Sequence, residues 1–434
     1  MKTKQPSYRS IPGPEDIHRS SLSNGIILLS RRNENSASVV VSGYFATGSQ
    51  FDPPEKLGLA NFTALGLMRG TKNSSFHELY DRLESAGASF GYGASVHTTS
   101  FSGRALQEDL PLLFSTLAES LIHPTFPAEP INRLKSQLLT GLAIRAQSTQ
   151  DMAAIEFDAT LFPNHPYGRP EDGYPETIKA ITRSDLVEFQ RRYYRPEGMV
   201  ITVVGAVEPQ QAKELAEQYL GSWQNPLPIE SPLFPPVQPL KNGVYKKVIL
   251  PGKSQSDLVM GTLGPRRNDP DYLPASLGNS ILGQFGLMGR IGDSVREKSG
   301  LAYYASTNLN AWKDSGSWEI AAGVNPENVE RAIALIKTEL KQFITELVTV
   351  EELEDNQNNF IGRMPLSLES NAGVANSLLN LERFNLGLDY LQRYPALIRA
   401  VTREQILETA RKYIDPECLV TIVAGPDEKG GNGK

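Results

Sequence analysis

Residues 181–205 read ITRSDLVEFQRRYYRPEGMVITVVG, and residues 401–425 repeat the pattern as VTREQILETARKYIDPECLVTIVAG. The two stretches align without a gap, and Thr, Arg, Glu, Arg, Tyr, Pro, Glu, Val, Val and Gly recur in register. In each copy Thr182 or Thr402 can cap a helix, with Asp185 or Gln405 three residues later, as in a capping box. The helix must end before the proline, and a β-branched strand follows. The chain therefore contains an internal duplication.

The segments upstream of these stretches match more loosely. SASVVVSGYFATGSQFDPP (36–54) and SQSDLVMGTLGPRRNDPDY (254–272) each predict a strand, a glycine turn and an Asp-Pro before a helix. SAGASFGYGAS (85–95) and KSGLAYYASTN (298–308) each predict a glycine-marked entry into a further strand. We therefore predict an α+β fold of two duplicated α/β-sandwich halves, each with a mixed, mainly antiparallel sheet covered by helices.

A proline-rich segment separates the two copies. QNPLPIESPLFPPVQPLK (224–241) contains six prolines, which predicts a semi-rigid, extended linker. The predicted organisation is thus an N-terminal domain at 17–223, the linker at 224–241, a C-terminal domain at 242–426 and a disordered tail at 427–434.

Composition limits the possible functions. The chain has 434 residues, 40% of them hydrophobic and 21% charged, which is typical of a globular protein with several domains. A net charge of -6 argues against general nucleic-acid binding, and no apolar run approaches the length of about 20 residues that spans a membrane. Because the N-terminal stretch lacks an apolar signal region and Cys418 is the single cysteine, we expect a cytoplasmic protein. A cysteine-poor exported protein is the alternative.

Three further stretches carry a resemblance to a known family. They are GLANFTALGLMRGT (58–71), HPYGRPEDGYPETIKAITRSDLVEFQRRYYRPEGM (165–199) and VREKSGLAYYAS (295–306). With the duplicated halves and the linker, the chain resembles the pitrilysin/insulinase family of inverted zincins, over about residues 17–426. Relatives there include bacterial processing proteases and the mitochondrial processing peptidase. The resemblance implies a LuxS/metallohydrolase-like fold in each peptidase-like half, and two subunits or two linked pairs that close around a peptide.

The zinc motif of that family is absent from the stretch GLANFTALGLMRGT (58–71). Active members carry His-x-x-Glu-His there, because two imidazoles one helical turn apart bind the metal and the glutamate takes a proton from its water. Here Asn61, Ala64 and Leu65 hold those positions, and the register of the third ligand falls nearest Gly141, in a segment without any acid. The five histidines, none spaced three or four residues from another, are His18, His77, His97, His123 and His165. We predict no catalytic residue and no metal or other cofactor in this chain, although His165 remains open between a packing and a functional role.

The second half retains two residues that the resemblance makes functional. Arg296 and Tyr303 match an arginine and a tyrosine that reach the substrate backbone and the oxyanion side of the zinc site. A guanidinium offers a charged fork to carbonyls, and a phenol donates to developing negative charge. The alternative is a surface ion pair for Arg296 and a core position for Tyr303. A glycine-rich loop matches more weakly, and its candidate substrate contacts are Gly283, Gly286 and Gly289.

These patterns together predict a non-catalytic, substrate-binding subunit of a heterodimeric zinc endopeptidase. The catalytic partner would carry His-x-x-Glu-His and the zinc ion, and the substrate would be a peptide. A structural subunit like the core proteins of a respiratory complex, and a self-standing peptide-binding homodimer, are the competing hypotheses.

Overall fold

The computed structural model describes residues 11–228, 232–284 and 289–427. The chain divides into two compact units, each assembled from three segments. Unit 1 comprises Met1–Leu142, Pro170–Leu233 and Arg363–Tyr394, and unit 2 comprises Ala143–Arg169, Phe234–Gly362 and Pro395–Lys434. The break between Leu233 and Phe234 lies inside the predicted linker, but each unit also takes up segments from the other half of the sequence.

The described strands fall into one mixed sheet in each unit. They are β1 (His18–Ser21), β2 (Ile27–Arg32), β3 (Ser38–Phe45), β4 (Ser89–Ala94), β5 (Thr99–Leu106), β6 (Val200–Gly205), β7 (Val244–Ile249), β8 (Ser256–Gly264), β9 (Ala302–Ala311), β10 (Gly316–Val324) and β11 (Val420–Gly425). Unit 1 has the order β1-β2-β6-β3-β5-β4, and unit 2 has the order β7-β11-β8-β10-β9. In each sheet one pair is parallel, β2 with β6 and β7 with β11, and the other pairs are antiparallel.

Helices connect and cover these strands. The α-helices are α1 (Leu59–Gly66), α2 (Phe76–Ser85), α3 (Leu110–Ile122), α4 (Ala128–Arg145), α5 (Thr149–Leu161), α6 (Pro175–Ala180), α7 (Arg183–Tyr193), α8 (Pro209–Leu220), α9 (Tyr272–Asn279), α10 (Val329–Thr345), α11 (Val350–Ser367), α12 (Asn371–Arg383), α13 (Tyr390–Arg399) and α14 (Arg403–Tyr413). Two short π-helical segments are Ser280–Gln284 and Gly292–Lys298. The predicted fold class, two duplicated halves with mainly antiparallel sheets covered by helices, is confirmed.

The repeated stretch folds as its residues predict. Thr182 caps α7 and Thr402 caps α14, and both caps are complete capping boxes with Asp185 and Gln405. The strands that follow, β6 and β11, are buried along their whole length. Both are interior strands with a parallel neighbour on one side and an antiparallel neighbour on the other. Because both of their faces are buried, their sequences are mainly apolar instead of alternating with polar residues.

In unit 1, a helix from the second half of the sequence covers one face of the sheet. Helix α12 packs on β3 and β6, and its Val374, Ala375 and Leu378 form a buried cluster with strand residues such as Val40 and Val204. Asn371, the first residue of α12, donates to the Ser38 carbonyl at the start of β3 over 2.9 Å. The other face packs on a larger core to which α1, α3, α7 and α8 contribute.

In unit 2, the equivalent cover comes from the first half of the sequence. Helix α5 packs on β8 and β11. The Phe157 ring of α5 lies so close to Gly261 of β8 that a Cβ added to this glycine would be 2.9 Å from it. Thr149, the first residue of α5, donates to buried Asp257 at the start of β8. Helices α5 and α12 have 13 residues each, and α4 and α11, which precede them, have 18 each. Each half of the sequence thus contributes one helix to the sheet of the other half, and the duplication includes this exchange of helices.

A buried carboxylate begins helix α1. The backbone amides of Gly58 and Ala60 each donate to Asp52 over 2.8 Å, and Asp52 is 4% exposed. Gly58 has φ 93°, in the left-handed region that favours glycine. The Asp-Pro turn thus satisfies amides at the N-terminus of α1 and interacts favourably with the helix dipole.

Asp52→Ala should leave those two buried amides without their acceptor. We expect the free energy of unfolding to fall by about 1.5–3 kcal/mol, the range for a hydrogen bond to a charged group, as measured by urea denaturation. Asp81→Ala, at an exposed position of α2, is the matched control and should change stability by less than about 0.5 kcal/mol. Equal effects of the two substitutions would show that the cap at Asp52 contributes nothing specific.

Protease should cut first in the linker near Pro226–Pro239, because backbone outside helices and strands is the preferred substrate, or in the predicted C-terminal tail, of which residues 428–434 lie outside the described part of the chain. The described residues between Gly221 and Val244 form no helix or strand. Since each unit contains segments from both sides of the linker, the two fragments of a linker-cut chain should co-elute in native size-exclusion chromatography. They should separate only in denaturant, and separate native peaks would contradict the exchange of helices.

Candidate functional site

Helix α1 carries three positions at which the resembling family places its zinc chemistry. Asn61 is half-buried, Ala64 is fully buried, and Leu65 packs against the core of unit 1. The fourth position, Gly141 on α4, is exposed, and a Cβ there would meet nothing within 4 Å. Two of these positions have therefore become apolar packing sites, and the exposed one has no side chain.

These residues do not fit a zinc ion. A catalytic zinc site needs three protein ligands, drawn from imidazoles, thiolates and carboxylates, and Asn61, Ala64, Leu65 and Gly141 offer none of these groups. Within residues 11–228, 232–284 and 289–427, no group of three or more His, Cys, Asp or Glu side chains has a geometry that could hold a metal ion.

His165 has a packing role in the Pro-Tyr-Gly turn. Its side chain is 5% exposed, and Nδ1 accepts a hydrogen bond from the backbone amide of Tyr167 over 3.3 Å. The imidazole lies against the rings of Tyr167 and Phe234, with ring centroids 4.5 and 5.6 Å apart. Burial lowers the pKa of His165, so the neutral ring that packs in this aromatic cluster is favoured.

Arg296 and Tyr303 flank the junction between a π-helical segment and the edge strand β9. Arg296 lies on Gly292–Lys298, its side chain is 41% exposed, and its Nε is 3.7 Å from a carboxylate oxygen of Glu297. Tyr303 is the second residue of β9 and is 62% exposed. Both groups therefore reach the surface of unit 2, and Tyr303 is not a core aromatic.

Tyr303 lies at a β-bulge in strand β9. Ala302 pairs with Val324 and Tyr304 pairs with Gly323, so Tyr303 is the extra residue on the bulged strand. Tyr304 next to it is fixed, because its hydroxyl donates to Asp257 over 2.7 Å. Burial first, and then the Asp257 carboxylate, raise the pKa of the Tyr304 phenol, so this donor stays protonated.

Neither Asp257 nor Tyr304 was among the residues singled out from the sequence. The available signal was a charged residue inside an apolar strand, SDLVMG at 256–261. A buried aspartate is uncommon unless hydrogen bonds or cations satisfy it. Asp257 is 3% exposed and accepts from Thr149, Gln255 and Tyr304.

The two described glycines of the glycine-rich loop pack on one another. Gly283 and Gly289 are both buried, and a Cβ on Gly289 would lie 2.2 Å from the Cα of Gly283. The close approach that glycine permits is made here between two parts of the chain itself. The third predicted contact, Gly286, lies outside the described residues.

Each sheet has an outer strand that carries either the candidate residue Tyr303 or glycines. Strand β4 is the outer strand of the unit 1 sheet, and β9 is the outer strand of the unit 2 sheet. Beside β4 lies an open groove of about 340 Å³, lined by Gly91, Gly93, Ser100, Ser102, Tyr92, Phe101, Gly43, Asn376 and Leu379. A Cβ on Gly91 or Gly93 would meet nothing within 4 Å, so the strand and the groove have room for an extended chain.

Within the described part of the chain, no helix is both long and apolar enough to cross a membrane.

Comparisons with known proteins agree with this architecture. A zinc protease of Bacillus subtilis, YmxG, whose function is uncharacterised, is 24% identical over 357 residues, covering 82% of this chain and 85% of its own. The crystal structure of a peptidase M16 inactive domain from Pseudomonas fluorescens has 27% identity and a TM-score of 0.88, covering 95% of this chain and 98% of its own. A protease from Helicobacter pylori shares the fold, with 20% identity, a TM-score of 0.87 and coverage of 96% and 100%.

Two models of one family match successive parts of the chain. Residues 27–171 match the insulinase (peptidase family M16) model, and residues 180–360 match the peptidase M16 inactive domain. Because these two matches cover most of the chain and the fold agrees along its length, the chain belongs to the insulinase (M16) family of peptidases and peptidase-like proteins.

Proposed function

We propose that this chain is the non-catalytic, substrate-binding subunit of a heterodimeric zinc metalloendopeptidase. The partner subunit would carry His-x-x-Glu-His and the zinc ion, and this chain would contribute Arg296 and Tyr303 to the binding of a peptide. The cytoplasm is the proposed compartment, in keeping with the single cysteine.

One observation carries the proposal: the chain has lost every zinc-site function while Arg296 and Tyr303 are retained and exposed. A tyrosine that served only packing would be buried, whereas Tyr303 is 62% exposed on a bulged strand. Among the residues that the structure describes, Arg296 has only a distant contact of 3.7 Å with its neighbour Glu297, so its guanidinium can offer hydrogen bonds to a carbonyl or a carboxylate.

The edge strands support a peptide substrate in an extended conformation. A peptide that adds to a sheet edge forms main-chain hydrogen bonds, which give affinity with broad side-chain selectivity. Tyr303 is the second residue of strand β9, and both π-helical segments contact this strand. A peptide on this edge would therefore lie beside the Tyr303 hydroxyl, a neutral donor suited to negative charge that develops on a substrate carbonyl.

Two other functions compete with this proposal. A purely structural subunit would not need exposed Arg296 and Tyr303, and substitutions there would leave catalysis unchanged. A self-standing peptide-binding homodimer would need no catalytic partner. Purification from the native cell discriminates them, because only the heterodimer would bring along a chain of similar length with an intact His-x-x-Glu-His motif.

The isolated chain should bind no stoichiometric zinc and cleave no peptide. Elemental analysis after chelator-free purification measures the metal, and about one zinc per chain would contradict the proposal. The triple variant Asn61→His, Ala64→Glu, Leu65→His should also bind none, because Gly141 supplies no third ligand. The same variant should be less stable than the native chain, since position 64 is fully buried and would hold an unpaired carboxylate.

Arg296→Ala and Tyr303→Phe should each lower the turnover of the complex about 10- to 100-fold. A hydrogen bond to a charged group contributes roughly 1.5–3 kcal/mol, and each ~1.4 kcal/mol is tenfold in rate. Tyr303→Phe should act mainly on kcat if the hydroxyl meets charge that develops only in the transition state. Peptide cleavage by the purified complex gives the rates, and size-exclusion chromatography follows pairing separately.

Tyr245→Phe is the matched control, because Tyr245 is an exposed tyrosine on the opposite edge strand, β7, of the same sheet. It should leave turnover unchanged. Full activity of both the Arg296 and Tyr303 variants, with normal pairing, would favour the structural subunit.

A further inference from the structure

Strand β10 carries the polar residues Ser317 and Glu319 on the sheet face opposite Trp318 and Ile320. Trp318 and Ile320 are buried on one face, where Trp318 lies against Phe343 of α10. Ser317, Glu319 and Ala321 alternate with them and therefore face the other side. Helix α5 packs on β8 and β11, and on the edge strand β9 the residue that pairs with Glu319, Asn308, is exposed.

Glu319 is a half-buried carboxylate with only one of its oxygens engaged. Its Oε1 accepts from Asn310 Nδ2 over 2.7 Å and from the Ser317 hydroxyl. Its Oε2 accepts no hydrogen bond from the described residues, yet it is not enclosed. Asp257 on the same sheet differs, because both of its oxygens accept hydrogen bonds.

No lysine, arginine or histidine of the described chain forms an ion pair with Glu319. A half-buried charge without a counter-ion is unfavourable, and burial accordingly raises the pKa of Glu319 despite the two hydrogen bonds. Such perturbed and uncompensated groups concentrate at binding sites. The free Oε2 is therefore suited to a cationic donor from another molecule.

The distance of Glu319 from the sheet edge determines how far a cationic side chain of a bound peptide must extend. Strands lie about 4.8 Å apart, so a peptide added to β9 would run two strand spacings from Glu319. Asn308, on the intervening strand, is directly opposite Glu319. Side chains of the added strand that point to this face would lie beside Asn308, and long, flexible lysine and arginine side chains can extend across it.

We propose that Glu319 selects extended peptides that place a lysine or arginine side chain on this face of the sheet. The inference rests on the peptide-binding role proposed above and adds a substrate class to it. The guanidinium or ammonium group donates to Oε2, and the bound cation compensates the charge that the protein leaves unpaired.

The test measures binding to the isolated full-length chain by fluorescence anisotropy. The probes are two labelled ten-residue peptides of Ser, Thr and Val that differ at one central residue, arginine in one and its neutral analogue citrulline in the other. The native chain should bind the arginine peptide about 10-fold more tightly, as expected for one hydrogen bond between charged groups. Glu319→Gln should reduce this preference to less than about 2-fold by the same reasoning. The Gln carbonyl can still accept from Ser317 and Asn310, so the fold should be retained.

Glu354→Gln is the matched control, since it removes the same charge from an exposed position of α11. The chain has a net charge of -6, so a general attraction for cations would fall equally in both variants, and that result would overturn the inference. Equal binding of both peptides to the native chain would overturn it while leaving the proposed peptide-binding role intact. Failure of the native chain to bind either peptide would overturn both.

Discussion

The central constraint on this structure is that the apolar interior strands of each sheet, such as β6 and β11, must bury both of their faces, and neither half of the sequence covers both faces of its own sheet. Helix α12 from the second half packs on β3 and β6 in unit 1, and helix α5 from the first half packs on β8 and β11 in unit 2. The burial of apolar side chains such as Leu378 favours this arrangement by about 25 cal/mol for each Å² removed from water. The two halves are consequently interdependent parts of one protein, although they arose as a sequence repeat.

The position of helix α1 in the fold does not depend on a metal site. Helix α1 is held by the Asp52 carboxylate at its N-terminus and by the packing of residues such as Phe62 in the core of unit 1. None of these interactions involves the positions of the absent ligands. Ala64 and Leu65 instead add apolar contacts, so packing and the Asp52 cap hold the helix without a metal ion.

The second sheet combines rigid support with an exposed edge. Asp257 receives hydrogen bonds from Thr149 on the exchanged helix α5 and from Tyr304 on β9, so the same carboxylate holds both the covering helix and the start of the edge strand. The bulge leaves Tyr303 exposed beside this fixed residue. On the neighbouring strand β10, Glu319 has no cationic partner in the part of the chain that the structure describes. A rigid scaffold with unsatisfied groups at its edge is the arrangement expected of a binding surface.

The sequence by itself determined the features that depend on neighbours along the chain. The capping boxes at Thr182 and Thr402, the strands after them and the fold class are confirmed, because caps and strand patterns are local. The lack of zinc donors at Asn61, Ala64 and Leu65 is likewise a matter of residue chemistry. Only the tertiary structure decided which sheet α5 and α12 cover, that Tyr303 occupies a bulge, and that Gly283 packs on Gly289. It also decided that Glu319 has no counter-ion among the described residues, because a side chain's partners come from strands and helices distant in sequence, which periodicity cannot reveal.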